Sequence, residues 1–261
     1  MQNGFRGAIF DVDGVLVVSP HEQAWREGLR ELMEDEWSDI RGQTTWAPER
    51  FTPQVYQQVM SGKPRMSGAR AALDYFGIPD AASRVEAYAQ RKQDVVIPLI
   101  EQGQFTAYAD ALRFVLGIKG AGIVVAAASS SKNAVRFLEQ IRLDTFAAEQ
   151  GLSYDFLREG LTLLGLFDAD ISGRDFAQGK PHPEIFLTAA SELGVEPAGC
   201  FVVEDAYYGL QAAKAGGMAA LGLSRADDEE LLAGAEPDLL VTSLDDVDRD
   251  ALLEGRLVAK A

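Results

Sequence analysis

One cysteine in 261 residues rules out an internal disulfide, so nothing in the chain needs an oxidising compartment to fold. That cysteine, Cys200, stands in the apolar run "CFVVED" and reads as a buried structural thiol. Basic residues are also scarce. Twenty-four Lys and Arg against 40 Asp and Glu leave a formal net charge of −16, which speaks against nucleic acid or an anionic membrane as a partner. No apolar run reaches the ~20 residues of a membrane span. The N-terminus lacks the basic, apolar and small-residue order of an export signal, and neither repeats nor low-complexity segments occur. The expectation is a soluble, cytoplasmic protein, a monomer or weak homodimer.

What is present points to an α/β fold. With 47% hydrophobic and 25% charged residues the chain can bury one large core and still carry a smaller insertion. The segments "GAIFDV", "GIVVAAASS", "LFDADISG", "CFVVED", "MAALGLS" and "PDLLVTS" are short, rich in Val, Ile, Leu, Phe and Ala, and bounded by Gly, Pro or Asp. Such runs are strands of a parallel sheet buried on both faces, and most are separated by one helical pattern. From about Glu22 to about Gln102 the rhythm breaks into almost wholly helical sequence. The reading is a doubly wound parallel α/β core, residues 1–18 and 105–261, with a helical cap domain inserted at 19–104. The charge run "RADDEELL" reads as the solvated face of a short helix.

Four strand-to-helix turns then fall at one edge of the sheet, where ligands bind in such folds. The first carries Asp11 and Asp13 one residue apart, followed by Gly14. The second, "ASSSKNAV", ends a strand at Ser129 and offers Ser130 or Ser131 as a helix cap, a setting whose N–H groups favour phosphate. The third, "GKPHPEIF", puts Lys180 before a helix opened by Pro181 and Pro183, and the fourth ends on Glu204 and Asp205, with Asp205 placed to cap the next helix. Each turn alone could be an ordinary cap. Together they bring several carboxylates to one edge, where they repel unless a hard divalent cation is held there; Mg²⁺ is the natural choice beside a phosphorylated substrate.

In order and position, "DVDGV", Ser129, Lys180 and "ED" at 204–205 resemble the four motifs of the haloacid dehalogenase superfamily, and the helical insertion resembles its cap. Within it the chain is similar to the β-phosphoglucomutase-like subfamily, through "ASSSKN", "SGKPR" at 61–65, "RKQ" at 91–93 and "HEQAW" at 21–25. The resemblance implies that Asp11 is a nucleophile forming an aspartyl-phosphate and that Asp13 is the general acid and base. It implies Mg²⁺ held by the Asp11 carboxylate, the Asp13 carbonyl and Asp205, with Glu204 touching the ion or standing just behind its ligands, and phosphoryl oxygens at Ser129 and Lys180. It places a small phosphorylated metabolite, a sugar phosphate, against Ser130, Ser131, Lys132 and Asn133. In the cap, Arg65 and Lys92 would form a second anion site, with His21 and Trp25 facing the sugar.

Two departures bear on the reaction. The segment between Asp13 and His21 is shorter than in the mutases, with Val18 and Ser19 where an acidic residue and threonine are usual, and the stretch from Thr145 to Leu164 is extra. The hinge change puts hydrolysis of a sugar phosphate ahead of interconversion of hexose 1- and 6-phosphates. The extra stretch is expected to leave the sheet at the edge opposite the site and to pack on the core or on a partner. A receiver-type signalling domain would carry its reactive Asp on a middle strand and would lack so long an insertion. A non-catalytic sensor would not need the full set of nucleophile, acid, acidic pair and lysine.

Overall fold

The computed structural model describes residues 4–260. Residues 1–3 and 261, assigned above to the core domain, lie outside the described residues. The chain divides into two compact units, one running up to Val18 and resuming at Ala107, the other Ser19–Thr106.

In chain order the elements are β1 (Gly7–Phe10), β2 (Val17–Val18), α1 (His21–Glu34), α2 (Pro53–Val59), α3 (Arg65–Tyr75), α4 (Ala81–Glu101), β3 (Thr106–Ala107), α5 (Ala109–Gly120) and β4 (Val124–Ala127). Then come α6 (Ala134–Gln140), α7 (Leu143–Glu149), β5 (Ala169–Asp170), α8 (Glu184–Leu193), β6 (Cys200–Glu204), α9 (Tyr207–Ala215), β7 (Ala219–Leu223), α10 (Glu229–Ala233), β8 (Leu239–Val241) and α11 (Arg249–Leu252). All six apolar segments read as strands are strands. The outgoing and returning connections pair as the two-stranded ribbon of β2 and β3, which carries the second boundary to Thr106, slightly later than expected.

The six-stranded sheet is parallel throughout, in the order β5-β4-β1-β6-β7-β8. Leaving out the ribbon, this is the 3-2-1-4-5-6 order of a doubly wound fold. Its central strands are apolar on both faces because helices cover both. On one side Ile9, Ala126 and Val202 pack with Phe186 and Ala189 of α8 and Leu210 and Ala213 of α9. On the other, Phe10 meets Phe114 of α5 edge-on at 6.2 Å. Cys200 is fully buried, and burial pushes its thiol pKa up to about 11, so it is a packing residue. The extra stretch packs on its own unit: Ala147, Leu161 and Leu163 are buried, and the chain returns through Leu163 N–H donating to Ile141 O at 2.9 Å.

The helical unit has its own core, with Trp25, Leu29 and Met33 of α1 against Leu73 of α3 and Tyr88 of α4. Trp25 meets Tyr88 edge-on at 4.9 Å, and the Tyr88 hydroxyl donates to Trp25 O at 2.9 Å. Full burial of one such side chain favours folding by roughly 1.5–3 kcal/mol, which lets this unit cohere around α1, α3 and α4. Among the described residues, no helix is long and apolar enough to cross a membrane.

Candidate active site

The register builds the site. Phe10 pairs with Ala127 on one side and Val203 on the other, so the residues after β1, β4 and the end of β6 meet at one edge. Asp11 N–H donates to Val203 O at 3.0 Å and Ala128 N–H to Phe10 O at 2.8 Å, extending the ladders past the strand ends. The strand order reverses beside β1, and the crevice there is where a ligand fits such a sheet.

Lys180 is the hub. Its buried ammonium donates to Asp11 Oδ1 at 2.6 Å and to Glu204 Oε1, and sits 4.9 Å from the centre of the Phe186 ring. Glu204 Oε2 accepts the Ala206 N–H at 2.9 Å, so both its oxygens are engaged. Glu204 thus seats the lysine, which fits the part of the expectation that put it behind the metal's direct ligands. A Cβ on Gly209 would overlap the Glu204 carboxylate, so α9 approaches this closely only with glycine there. No sequence motif marks Gly209, because the clash is made through space.

Burial opposes the Lys180 charge, yet Asp11 and Glu204 outweigh it and hold the pKa above the ordinary lysine value. Burial pushes the Glu204 carboxyl up to about 7, against the pull of Lys180 and with the repulsion of Asp11. Asp11 is raised by burial, opposed by Lys180 and reinforced by Asp13. Asp205 is raised as well, by burial and then by the negative charges of Glu204 and Asp11. One lysine thus serves a site with more acid than it can neutralise.

Asp205 does not cap α9 as expected; the cap position is Ala206, with no side-chain cap bond. Instead its carboxylate lies against Gly14, which has φ +83° and where a Cβ would overlap Asp205. Glycine is therefore required twice, by the left-handed backbone and by the close approach. This cradle, beside Asp11 and Asp13, fits a hard cation. Among the described residues no three Asp, Glu, His or Cys side chains converge into a complete cage. An ion that takes one or two carboxylates and completes its shell with water and phosphate oxygens suits this arrangement.

Asp13 is half-buried, and Ser129 Oγ donates to its Oδ2 at 3.5 Å. Ser129 Oγ also accepts the Ser131 N–H at 3.1 Å, and Ser131 Oγ accepts the Asn133 N–H at 3.2 Å. The expected cap by Ser130 or Ser131 is therefore corrected: Asn133 is at the cap of α6, with no side-chain cap bond, and the serines fold the loop on itself. Lys132 is also placed differently from the expectation. It pairs with Asp175 at 2.7 Å on the exposed surface.

In the helical unit His21, Arg65 and Trp25 all gather about Lys92, but Trp25 does so from the core. Lys92, buried in α4, lies 3.4 Å from His21 Nδ1 at the start of α1, and both His21 and Arg65 belong to one electrostatic group with it. Arg65 opens α3, half-buried. Trp25 is a core residue of this unit, not a sugar-facing one; the Lys92 ammonium lies 5.3 Å from its ring centre.

Burial, then Lys92 and Arg65, hold the His21 pKa well below its ordinary value. The unfolded chain therefore binds the extra proton below about pH 6.5, and folding stability falls as pH drops through that window. All three tryptophans (25, 37 and 46) lie in this unit, so their fluorescence reports its unfolding. Denaturant melts of the protein and of His21→Gln are expected to converge by about 2 kcal/mol between pH 8 and pH 5 in favour of the variant. A constant gap would show that His21 is not held neutral.

Comparison with known proteins bears on the family and the fold. A family model described as haloacid dehalogenase-like hydrolase matches residues 5–217. A β-phosphoglucomutase of Mycobacterium bovis is 31% identical over 236 residues, covering 84% of this chain and 81% of that protein. A validoxylamine A 7'-phosphate phosphatase of Streptomyces hygroscopicus subsp. limoneus is 40% identical over 113 residues, 42% of this chain and 52% of that one. The structure of an archaeal β-phosphoglucomutase from Pyrococcus sp. strain ST 04 superposes with a TM-score of 0.67 at 28% identity, covering 95% of this chain and 97% of the other. With a family model matched over residues 5–217 and the fold in accord with the superposed structure, the chain belongs to the haloacid dehalogenase-like hydrolase family.

Proposed function

We propose that the protein is a Mg²⁺-dependent phosphatase of small phosphorylated sugars that works through a phospho-Asp11 intermediate. The observation that carries this reading is the Lys180 ammonium 2.6 Å from Asp11 Oδ1 in a fully buried setting. It keeps one carboxylate charged and oriented where a phosphate dianion must approach, and offsets the repulsion between them. Asp11, the main-chain carbonyl of Asp13 and Asp205 would hold Mg²⁺, which when bound neutralises phosphoryl charge as the ester is displaced.

The chain's own groups divide the work. A carboxylate oxygen of Asp11 attacks phosphorus, the bond from phosphorus to the sugar oxygen breaks, and Asp13 gives its proton to that oxygen. Water then attacks the same phosphorus, Asp13 takes its proton, and the carboxylate of Asp11 leaves. Ser129, which already contacts Asp13, and Lys180 bind phosphoryl oxygens in this scheme.

A second reading, phosphomutase, is favoured by the cationic group of Arg65, Lys92 and neutral His21, since a bisphosphate needs a cation for the phosphate that is not reacting. The likeness to the β-phosphoglucomutase of Mycobacterium bovis favours it also. We rank hydrolysis first because the segment between Asp13 and His21 is short and carries Val18 where the resembling mutases have an acidic residue. Hexose, pentose and short-chain phosphates assayed for both phosphate release and isomerisation decide between them, and release of inorganic phosphate from a hexose phosphate is the expected result. Clean exchange of a hexose 1-phosphate and 6-phosphate, needing a trace of bisphosphate and releasing none, would reverse the order. In the same assay Arg65→Ala is expected to weaken catalysis on a sugar bisphosphate by about 2–3 kcal/mol while sparing a small aryl phosphate. Equal losses would make Arg65 structural.

A further inference from the structure

A polar cluster outside the four motifs stands at the root of the insertion. Asp110, in the first turn of α5, is buried and meets three donors: Arg225 Nη2, 3.0 Å from each carboxylate oxygen, and Ser243 Oγ at 3.2 Å and the Leu244 N–H at 2.8 Å, both on Oδ2. Arg225, just beyond β7, lies with its guanidinium carbon 3.9 Å from the centre of the Tyr108 ring. Burial opposes the Asp110 charge, but Arg225, the Leu244 N–H and Ser243 outweigh it and keep the carboxyl below its usual range. The pair is therefore ionised and tightly held.

Tyr108 connects this cluster to the reacting edge. Its N–H donates to Leu16 O at 3.0 Å. Leu16 and Val17 both donate to Val12 O, at 2.9 and 3.0 Å, Gly14 N–H donates to Val17 O at 2.9 Å, and Asp13 pairs with Val17 in an isolated bridge. The turn that aims Asp13 is thus tied at its far end to a tyrosine that an arginine holds by its ring face. A buried ion pair contributes little net stability over apolar packing of the same volume, so stability is a weak reason for its presence.

We propose that Asp110 and Arg225 are positioning residues for Asp13, acting through Tyr108 and the Val12–Val17 turn. The inference rests on the assignment of Asp13 as acid and base. Nothing in the sequence marks it: Asp110 and Arg225 are 115 positions apart and belong to no shared motif.

The two steps of the reaction separate a positioning role from a structural one. With p-nitrophenyl phosphate the leaving group needs no proton, so transfer to Asp11 is insensitive to Asp13, whereas attack by water requires it. For Arg225→Ala the first-turnover burst of nitrophenolate should stay within about twofold of the unaltered protein while steady-state turnover falls about tenfold or more. Millimolar guanidinium should restore part of the loss. Asp110→Asn, which keeps hydrogen-bonding atoms in place, should show the same split in milder form and carries the test if Arg225→Ala does not fold. Asp13→Ala is the reference. If it shows no split, the acid and base assignment fails. If it does while Arg225→Ala and Asp110→Asn lose burst and steady state equally, or lose neither, the positioning role is overturned.

Discussion

Asp11→Asn is expected to abolish turnover of every phosphate ester while leaving the protein folded. The substitution changes volume little, and the amide oxygen can still accept the Lys180 ammonium that now donates to Asp11 Oδ1 at 2.6 Å. What it removes is the nucleophile and one negative charge from a crowded site. Because burial and the neighbouring Asp13 raise the Asp11 pKa against the pull of Lys180, removing that charge relieves repulsion. The melting temperature without metal should therefore hold or rise. Loss of a covalent nucleophile costs several orders of magnitude, so residual activity above about a hundredth of the original would refute the assignment. Steady-state kinetics on an aryl phosphate, with circular dichroism to confirm the fold, is sufficient.

Lys180→Met should fail in a different way, losing activity and stability together. The lysine side chain is fully buried between Asp11 and Glu204, and truncation leaves two buried carboxylates with no cation between them. Breaking a buried ion pair from one side typically costs about 3–5 kcal/mol. The loss should depend on pH. Glu204 already has its pKa pushed up to about 7 by burial, with Lys180 restraining it, and without the lysine both carboxyls take protons more readily in the folded state than in the unfolded one. Stability contributed by a group with a raised folded pKa is present below its unfolded value and lost as pH rises through the folded one. The variant should thus be closest to the unaltered protein near pH 5 and furthest from it near pH 8 in denaturant melts. Adding Glu204→Gln should recover stability at pH 8 without recovering activity. A pH-independent loss, or recovery of turnover by the double variant, would show that Lys180 has no electrostatic role at Asp11.

The sequence and the structure divide this protein between them along a physical line. Patterns of period and composition are local, so the six strands, the helical character of the insertion and the four polar turns could be read directly: buried parallel strands are short apolar runs, and strand ends carry polar groups whatever surrounds them. The placement of Asp11, Asp13, Ser129, Lys180 and Asp205 in those turns followed from that. Through-space relations were not legible. Glu204 reads as touching the metal or standing just behind its ligands, and only the alternation of side chains along β6 and the seat made by Gly209 bring it to Lys180. Trp25 reads as a binding residue by its motif, yet packing against Tyr88 makes it core. Lys132 follows the serine loop in sequence but is drawn off by Asp175, 43 positions later. Which polar group meets which is decided by the register of β1 between β4 and β6 and by helices closing over both faces of the sheet, because a buried charge takes the partner that packing brings to it, and no local pattern of residues specifies that partner.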